Sequence, residues 1–536
     1  MSRRRTDTPA GPPGWRTSTR LGAAATGTAF AALYAFGMPG YGIPGLPFVA
    51  LVPLIFLSLS SESARNAAFR GFLAGTAANL LLFYWIAYTV AVPGKLGWAL
   101  GILAALLVSA YLAVYVSAAC WFAFRVTVRF GEGAIWAFPV AWIGLEYARS
   151  VLVTGFPWLL LGYGVSDSPV LRQAADLAGV PGLGFLLAMT SVAVHRAATL
   201  LARRSYRACA VPAFALLAVP AFLFGYGSWR NAAPDGHPAA QAIRVAVAQG
   251  GIDQSVKWDP AFQSQTVAIY RSLTREAAAA GPEVIVWPET AAPFLYGWEA
   301  DLSGEIDRIA AEAGVPLIFG APWFDPSEGG KYFNSVFLLD GGGVPRGRYD
   351  KRHLVPFGEY IPLRSVLFFL RKMTAGEGDF SSGTGPGVFR VDGGTAGATV
   401  CYEALFPGII REEVRAGADW LVNVTNDAWF GDTVAPRQHL AMARMRSVEV
   451  RRPMVRAANA GISAVIDAKG ASVAELGLFR RGIVAGAVRP GSGETLYAKS
   501  GDIFEISCAI LAFLITFVPL RGSDGHWTAG GKSVRP

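Results

Sequence analysis

The chain has 536 residues, 53% of them hydrophobic and only 16% charged, against about 25% charged in ordinary soluble domains. That composition excludes a single soluble globule, a disordered chain and a coiled coil. The 47 Lys and Arg residues outnumber 38 Asp and Glu, giving +9, and beside long uncharged runs this excess marks cytoplasmic loops rather than a nucleic-acid surface.

Residues 1–20 form a basic tail carrying Arg3, Arg4, Arg5, Arg16 and Arg20. Residues 21–61 contain no charge, and the Pro/Gly cluster at 38–44 divides them into two spans. Segments 71–94 and 96–124 are also uncharged, and each exceeds the roughly 20 residues that cross a ~30 Å hydrocarbon layer. Segments 133–145, 177–194 and 208–229 supply three more spans, closing a seven-helix region at 21–229, and 503–520 is an eighth. Arg65 and Arg70 follow span two, Arg125 and Arg129 span four, and Arg196, Arg203, Arg204 and Arg207 span six. By the positive-inside rule both termini, including the tail 521–536, are cytoplasmic, and everything between spans seven and eight lies outside. No small-residue cleavage site supports reading the basic start as a signal peptide. Glu146 and Arg149, one turn apart in span five, are expected to pair with each other.

Residues 240–499 differ in character, with dispersed charges and Gly/Pro/Asp turns. The predicted strands are 243–249, 283–287, 316–320, 335–339, 397–401 and 420–425, and helices are predicted at 259–279, 301–313 and 407–416. Runs such as EVIVW and WLVNVT lack polar alternation, as strands covered on both faces do. The segment reads as one layered α/β domain.

Of four cysteines, Cys120, Cys209 and Cys508 lie in or beside apolar spans, and only Cys401 belongs to this domain. It ends the strand GATVC before Tyr402 and Glu403, a strand-to-helix turn that presents a nucleophile. Glu289 follows VIVW in WPET, where Pro288 ends the pairing and aims the carboxylate at the strand's carboxyl edge. Lys351 lies in DKRHLVPFGEYIP, eight residues before Glu359. There is no CxxC, HExxH or phosphate loop, hence no metal or nucleotide signature.

Glu289, Lys351 and Cys401 resemble, in order and context, the Glu-Lys-Cys triad of the nitrilase superfamily. KWDP around Trp258, LVPFGEYIP, VCYE, NDAWFG, QHLAMARMRSVE and TGFPW in the apolar half are similar to the apolipoprotein N-acyltransferases, its membrane-bound branch. The resemblance implies a nitrilase-like αββα sandwich inserted between helices seven and eight of an eight-helix bundle. It implies an enzyme of the cell or inner membrane, with its catalytic domain on the periplasmic or extracellular side. An acyl chain would pass from a phospholipid donor, through a thioester, to the amine of a diacylated apolipoprotein acceptor, with no cofactor, metal or nucleic acid. Cys401 would be the nucleophile, Glu289 the base, and Lys351 the stabiliser of the developing oxyanion, helped by a backbone N–H near Tyr402. Glu359 would hold Lys351 or share a proton with Glu289, while Tyr402, Glu403 and Trp258 would shape the pocket.

Other readings remain at this level: a membrane-tethered amidase with water as acceptor, a transporter with an accessory domain, an inactive scaffold, or a thiol served by His353 or His439. The apolar stretches 293–298 and 361–369 are read as lids touching the bilayer, or as buried packing.

Overall fold

The computed structural model of the protein describes residues 20–234, 241–327, 329–361 and 379–517. Each predicted apolar segment contains a helix: α1 (Arg20–Phe36), α2 (Val52–Leu59), α3 (Ala64–Phe83), α4 (Trp85–Ala91), α5 (Trp98–Phe130), α6 (Phe138–Val151), α7 (Ala175–Ala202) and α8 (Ala210–Ala232) in the N-terminal half. Among the described residues, three stretches, Trp98–Phe130, Leu171–Ala202 and Tyr206–Ala232, are long and apolar enough to cross a membrane. Ala64–Phe83 with Trp85–Ala91 makes a fourth across a 58° bend. Among the described residues the remaining helices are shorter than these. α6 stops at Val151 because Val153, Thr154 and Gly155 all take positive φ, which no right-handed helix continues through. α7 is interrupted at Ala178 and Gly179, and a Cβ on Gly179 would lie 2.6 Å from the Tyr497 ring. Small residues bring helices together: a Cβ on Gly71 would meet Cys120 Sγ at 2.5 Å, so α3 and α5 pack at close quarters.

Twelve strands follow among the described residues: β1 (Ile243–Gln249), β2 (Val284–Val286), β3 (Leu317–Asp325), β4 (Lys331–Leu339), β5 (Pro345–Asp350), β6 (Gly387–Val391), β7 (Gly394–Val400), β8 (Trp420–Thr425), β9 (Met454–Ala458), β10 (Ser463–Ile466), β11 (Ser472–Leu476) and β12 (Gly482–Val488). Interleaved with them or after them come α9 (Pro260–Ala279), α10 (Ala300–Ala313), α11 (Pro407–Arg415), α12 (Ala435–Val450), α13 (Leu496–Ser500) and α14 (Ile503–Phe517). The strands form two sheets, ordered β12-β1-β2-β3-β4-β5 and β11-β10-β9-β8-β7-β6. In each sheet three strands run parallel, β1-β2-β3 and β7-β8-β9, with antiparallel strands on both sides.

Val245, Val247 and Ile318 of one sheet meet Ala398, Val422 and Val455 of the other between the layers. Val267 and Ile306, from α9 and α10, cover one outer face, and Ile410 and Leu440, from α11 and α12, cover the other. This is the expected αββα sandwich, and its central strands lack polar alternation because both faces are covered. It rests on the helical half: Glu449 of α12 accepts the Val180 N–H at the break in α7 at 3.0 Å, and the Trp158 indole donates to Gln438 at 2.8 Å.

Candidate active site

Strand ends deliver the three predicted groups to one region. Glu289 follows β2 through Trp287 and Pro288, and the neighbouring β3 carries Gly320 there, because a Cβ would lie 2.7 Å from the Glu289 Cα. Lys351 directly follows β5, and its N–H donates to the Asn334 carbonyl at 2.9 Å. Cys401 directly follows β7 and opens a single helical turn, Cys401–Leu405, with a φ of 51°. Thr290 and Phe357, close to Glu289 and Glu359, also take positive φ, 46° and 63°. Left-handed non-glycine residues cost about 1–3 kcal/mol each and gather at functional sites.

Lys351 is buried. Its Nζ donates to Glu359 Oε1 at 3.0 Å, lies 2.9 Å from Glu359 Oε2, and lies 3.9 Å from Glu289 Oε1. Asn334, on β4, donates its amide to both carboxylates, at 2.8 Å to Glu289 and 2.9 Å to Glu359. The second oxygen of Glu359 accepts the Val355 N–H at 2.7 Å. Another buried ammonium, Lys257, donates to the Glu289 backbone carbonyl at 3.0 Å. Two carboxylates and two ammonium groups therefore balance beside a thiol.

Burial works against the Lys351 charge, yet Glu359 and Glu289 outweigh it and hold the ammonium above the ordinary lysine range. Burial pushes Lys257 down to about 8, with Glu289 and Cys401 opposing. The Cys401 thiol is pushed up to about 12 by burial first and the Glu289 charge second, while Lys351 pulls the other way. The resting sulfur is thus protonated, and attack requires a base.

Glu403 holds the site together. It accepts the Arg352 N–H at 2.6 Å, the His353 N–H at 3.0 Å, the Val400 N–H at 2.8 Å and the Tyr349 hydroxyl at 2.9 Å. The segment bearing Lys351 is thereby tied to the turn bearing Cys401. Tyr402 donates its hydroxyl to Gly155 in the TGFPW segment at 3.3 Å and stacks on Trp158, within an aromatic cluster that includes Trp85, Phe156 and Phe430.

Trp258 is half-buried, and its neighbour Lys257 reaches the Glu289 carbonyl. Several expectations are revised. The His353 ring packs on Phe406, tilted by 30° with centroids 3.7 Å apart, and burial with Lys351 nearby pushes its pKa down to about 4. His439 Nε2 meets the Cys401 carbonyl oxygen at 3.2 Å and Nδ1 meets Asp427 at 2.8 Å, which leaves neither ring nitrogen for the thiol. Glu146 and Arg149 do not pair: Glu146 accepts the Leu161 N–H at 2.7 Å and Arg149 donates to the Trp158 carbonyl at 3.1 Å, so each secures the irregular segment after α6. Of the stretch 293–298, Phe294 and Tyr296 are core residues and only Gly297 and Trp298 are exposed, which is packing rather than a lid. Of 361–369, Ile361 is buried and the rest lies outside the described residues. Asn334 escaped sequence reasoning, although an amide inside the apolar strand KYFNSVFLL was the available signal. Among the described residues no cluster of His, Cys, Asp and Glu could hold a metal ion.

Residues 244–497 match the carbon-nitrogen hydrolase family, and residues 30–193 match the apolipoprotein N-acyltransferase N-terminal domain. Apolipoprotein N-acyltransferase of Geobacter metallireducens is 41% identical over 497 residues, covering 92% of this chain and 94% of the relative. That of Methylococcus capsulatus is 37% identical over 513 residues, covering 94% and 96%. That of Pasteurella multocida is 32% identical over 483 residues, covering 88% and 90%. Among solved structures, an amidase from Nesterenkonia sp. is 19% identical and covers 48% of this chain and 92% of its own, with a TM-score of 0.36. With identity at this level along nearly its whole length, the chain belongs to the apolipoprotein N-acyltransferase family.

Proposed function

We propose that the protein moves an acyl chain from a membrane phospholipid to the α-amino group of the diacylglyceryl-modified N-terminal cysteine of apolipoproteins, in two steps through Cys401. In the first, Glu289 takes the thiol proton as sulfur attacks the ester carbonyl. The C–O bond breaks, and Glu289 returns the proton to the departing lysophospholipid oxygen. In the second, the acceptor amine attacks the thioester, Glu289 takes the amine proton, the C–S bond breaks, and the thiol is restored. Lys351 stabilises the negative oxygen in both steps, and Glu359 keeps Lys351 charged and in place. The observation that carries this reading is the buried cluster of Glu289, Lys351, Glu359 and Asn334, whose carboxylate and ammonium both act on the ionisation of a left-handed Cys401.

The apolar helices fit a membrane protein. In this reading 21–229 cross seven times, 503–520 cross once more, and 240–499 form the extracytoplasmic catalytic domain, with the tails 1–20 and 521–536 cytoplasmic. Arg65, Arg70, Arg125 and Arg129, in loops that this reading places inside, support that orientation.

The test is incubation of the purified protein with phospholipid and a diacylated lipopeptide, followed by mass analysis. Acyl gain on the lipopeptide amine is expected for the natural sequence and absent for Cys401→Ala. Without acceptor, an acyl adduct on Cys401 should accumulate. Rapid hydrolysis of that adduct, with no transfer once lipopeptide is added, would favour an amidase-like reaction with water and sink the proposal.

A further inference from the structure

Behind the nucleophile lies a buried polar cluster that the acyl-transfer scheme leaves unused. Asp427 accepts Arg456 Nη2 on Oδ2 at 2.7 Å, and its Oδ1 lies 2.8 Å from His439 Nδ1. Arg456, fully buried on β9, also donates Nη1 to Asn423 Oδ1 at 2.5 Å and lies 3.1 Å from His439 Nδ1. From this cluster two side chains converge on one atom. The backbone carbonyl oxygen of Cys401 sits 3.2 Å from His439 Nε2 and 3.4 Å from Asn423 Nδ2. With Nε2 protonated, His439 donates to the Cys401 carbonyl and presents Nδ1 to Arg456, and a charged ring donates Nδ1–H to Asp427 as well.

A carbonyl gripped by two donors has a fixed direction. Because a trans peptide is planar, its N–H points opposite to its C=O, so fixing the Cys401 carbonyl also fixes the direction of the Tyr402 N–H. That N–H belongs to the first turn of the Cys401–Leu405 helix, where no intrahelical acceptor is available. We propose that His439 and Asn423, braced by Asp427 and Arg456, are positioning residues that lock the Cys401–Tyr402 peptide so that the Tyr402 N–H donates to the carbonyl oxygen under attack. As the C–S bond forms, that oxygen takes up the carbonyl electron pair, and the N–H stabilises it from a direction independent of Lys351 without transferring its proton. The inference rests on the acyl-transfer reading only in requiring that Cys401 attack a carbonyl.

Two reactions of the same sulfur separate this role from general support of the fold. Iodoacetamide is attacked at a saturated carbon and builds no oxyanion, whereas p-nitrophenyl butyrate does. In the full-length protein in detergent, His439→Ala should slow acylation of Cys401 by the ester ~10–10²-fold while leaving alkylation within about twofold, since a misaimed oxyanion donor acts only on the first reaction. Nitrophenolate release and butyryl mass on Cys401 report the first rate, and carbamidomethyl mass reports the second. His439→Gln, whose amide can donate to the same carbonyl, should recover part of the acylation rate. Asn423→Ala removes the other donor and should shift the ratio in the same direction, and it decides the matter if His439→Ala does not fold. Equal loss of both reactions, or loss of neither, overturns the proposal. Protein that takes butyrate from the ester but transfers nothing from phospholipid overturns the functional reading and leaves this inference standing.

Discussion

A thiol pushed up to about 12 by burial and the Glu289 charge does not wait as a thiolate; it loses its proton during attack. The sign of the shift makes this testable. A free thiol gains alkylation rate about tenfold per pH unit and levels off above its pKa of about 8.5, whereas Cys401, whose proton passes to Glu289 during attack, should be alkylated at a rate that changes little from about pH 6 through 9.5. A rise of about tenfold per unit levelling off near pH ~8.5 in the iodoacetamide rate of the purified protein would contradict the buried, base-dependent thiol. Lys351 is the complementary case, because it separates Glu289 from Glu359 at 3.9 and 2.9 Å. Lys351→Met leaves two buried carboxylates with only Asn334 and the Val355 N–H donating to them and Lys257 nearby. Acyl transfer should fall at least ~10²-fold, and stability should fall by about 3–5 kcal/mol, as when one partner of a buried pair is removed. Lys351→Met with Glu359→Gln should regain most of the thermal stability in detergent without regaining activity. Glu289 and Cys401 were legible in the sequence because each follows an apolar run that reads as a strand, whereas Lys351, after the charged PRGRYD, was picked out by its motif and its resemblance. Asn334 was not, because its role exists only once β4 lies beside β3 and β5 and places one amide between carboxylates that are distant in sequence.

Local backbone geometry explains which elements could be read in advance. β1 and β8 appear at the predicted bounds, 243–249 and 420–425, because both are apolar runs covered on two faces. β5, β6 and β12 were missed: PRGRYD and GVFRV carry exposed charge, and GIVAGAV is rich in glycine. Such strands are fixed by the ladder of a neighbour rather than by their own apolar content. β9 hides for another reason, since Arg456 in MVRAA reads as a surface charge until Asp427 is placed against it. In the helical half, the end of α6 depended on positive-φ backbone that hydropathy does not register. The same geometry sorts glycines that look alike in sequence. A Cβ on Gly162 would lie 2.0 Å from the Val180 carbonyl oxygen, and backbone cannot swing aside, whereas Gly225 on α8 has nothing within 4 Å. Gly162→Ala should therefore lower the melting temperature in detergent sharply or prevent folding. Gly225→Ala should leave it unchanged or raise it, since alanine is favoured over glycine in a helix interior by ~1 kcal/mol. Equal behaviour of the two variants would show that the irregular segment does not pack against α7 as described.

The two halves of the molecule meet through charge as well as through aromatic packing. Asp176, on α7, accepts Arg230 Nε from α8 at 2.7 Å, Arg451 Nη2 from the end of α12 at 2.8 Å and the Tyr226 hydroxyl at 2.7 Å. Arg451 takes a φ of 52° and also donates to the Gln173 carbonyl at 3.0 Å, so this guanidinium leaves the sandwich to dock on the bundle. Asp176 is 3% exposed, and removing its charge would leave two guanidinium groups facing each other. That change should cost about 3 kcal/mol, concentrated at the junction. Glu289, Lys351 and Cys401 all belong to the sandwich, fastened by Glu403 and Asn334, and none of their hydrogen bonds passes through Asp176. The consequence for activity is therefore selective. Asp176→Asn should retain butyrylation of Cys401 from a soluble nitrophenyl ester, because that substrate needs only the sandwich. Transfer from phospholipid in vesicles should fall about tenfold or more, because a sulfur tilted away from its place above the bundle loses the near-attack geometry that positioning provides. Parallel loss with both donors would mean that the junction supports the site's internal structure, and undiminished lipid transfer would mean that the aromatic contacts of Trp158 with Tyr402 and Gln438 set the docking alone.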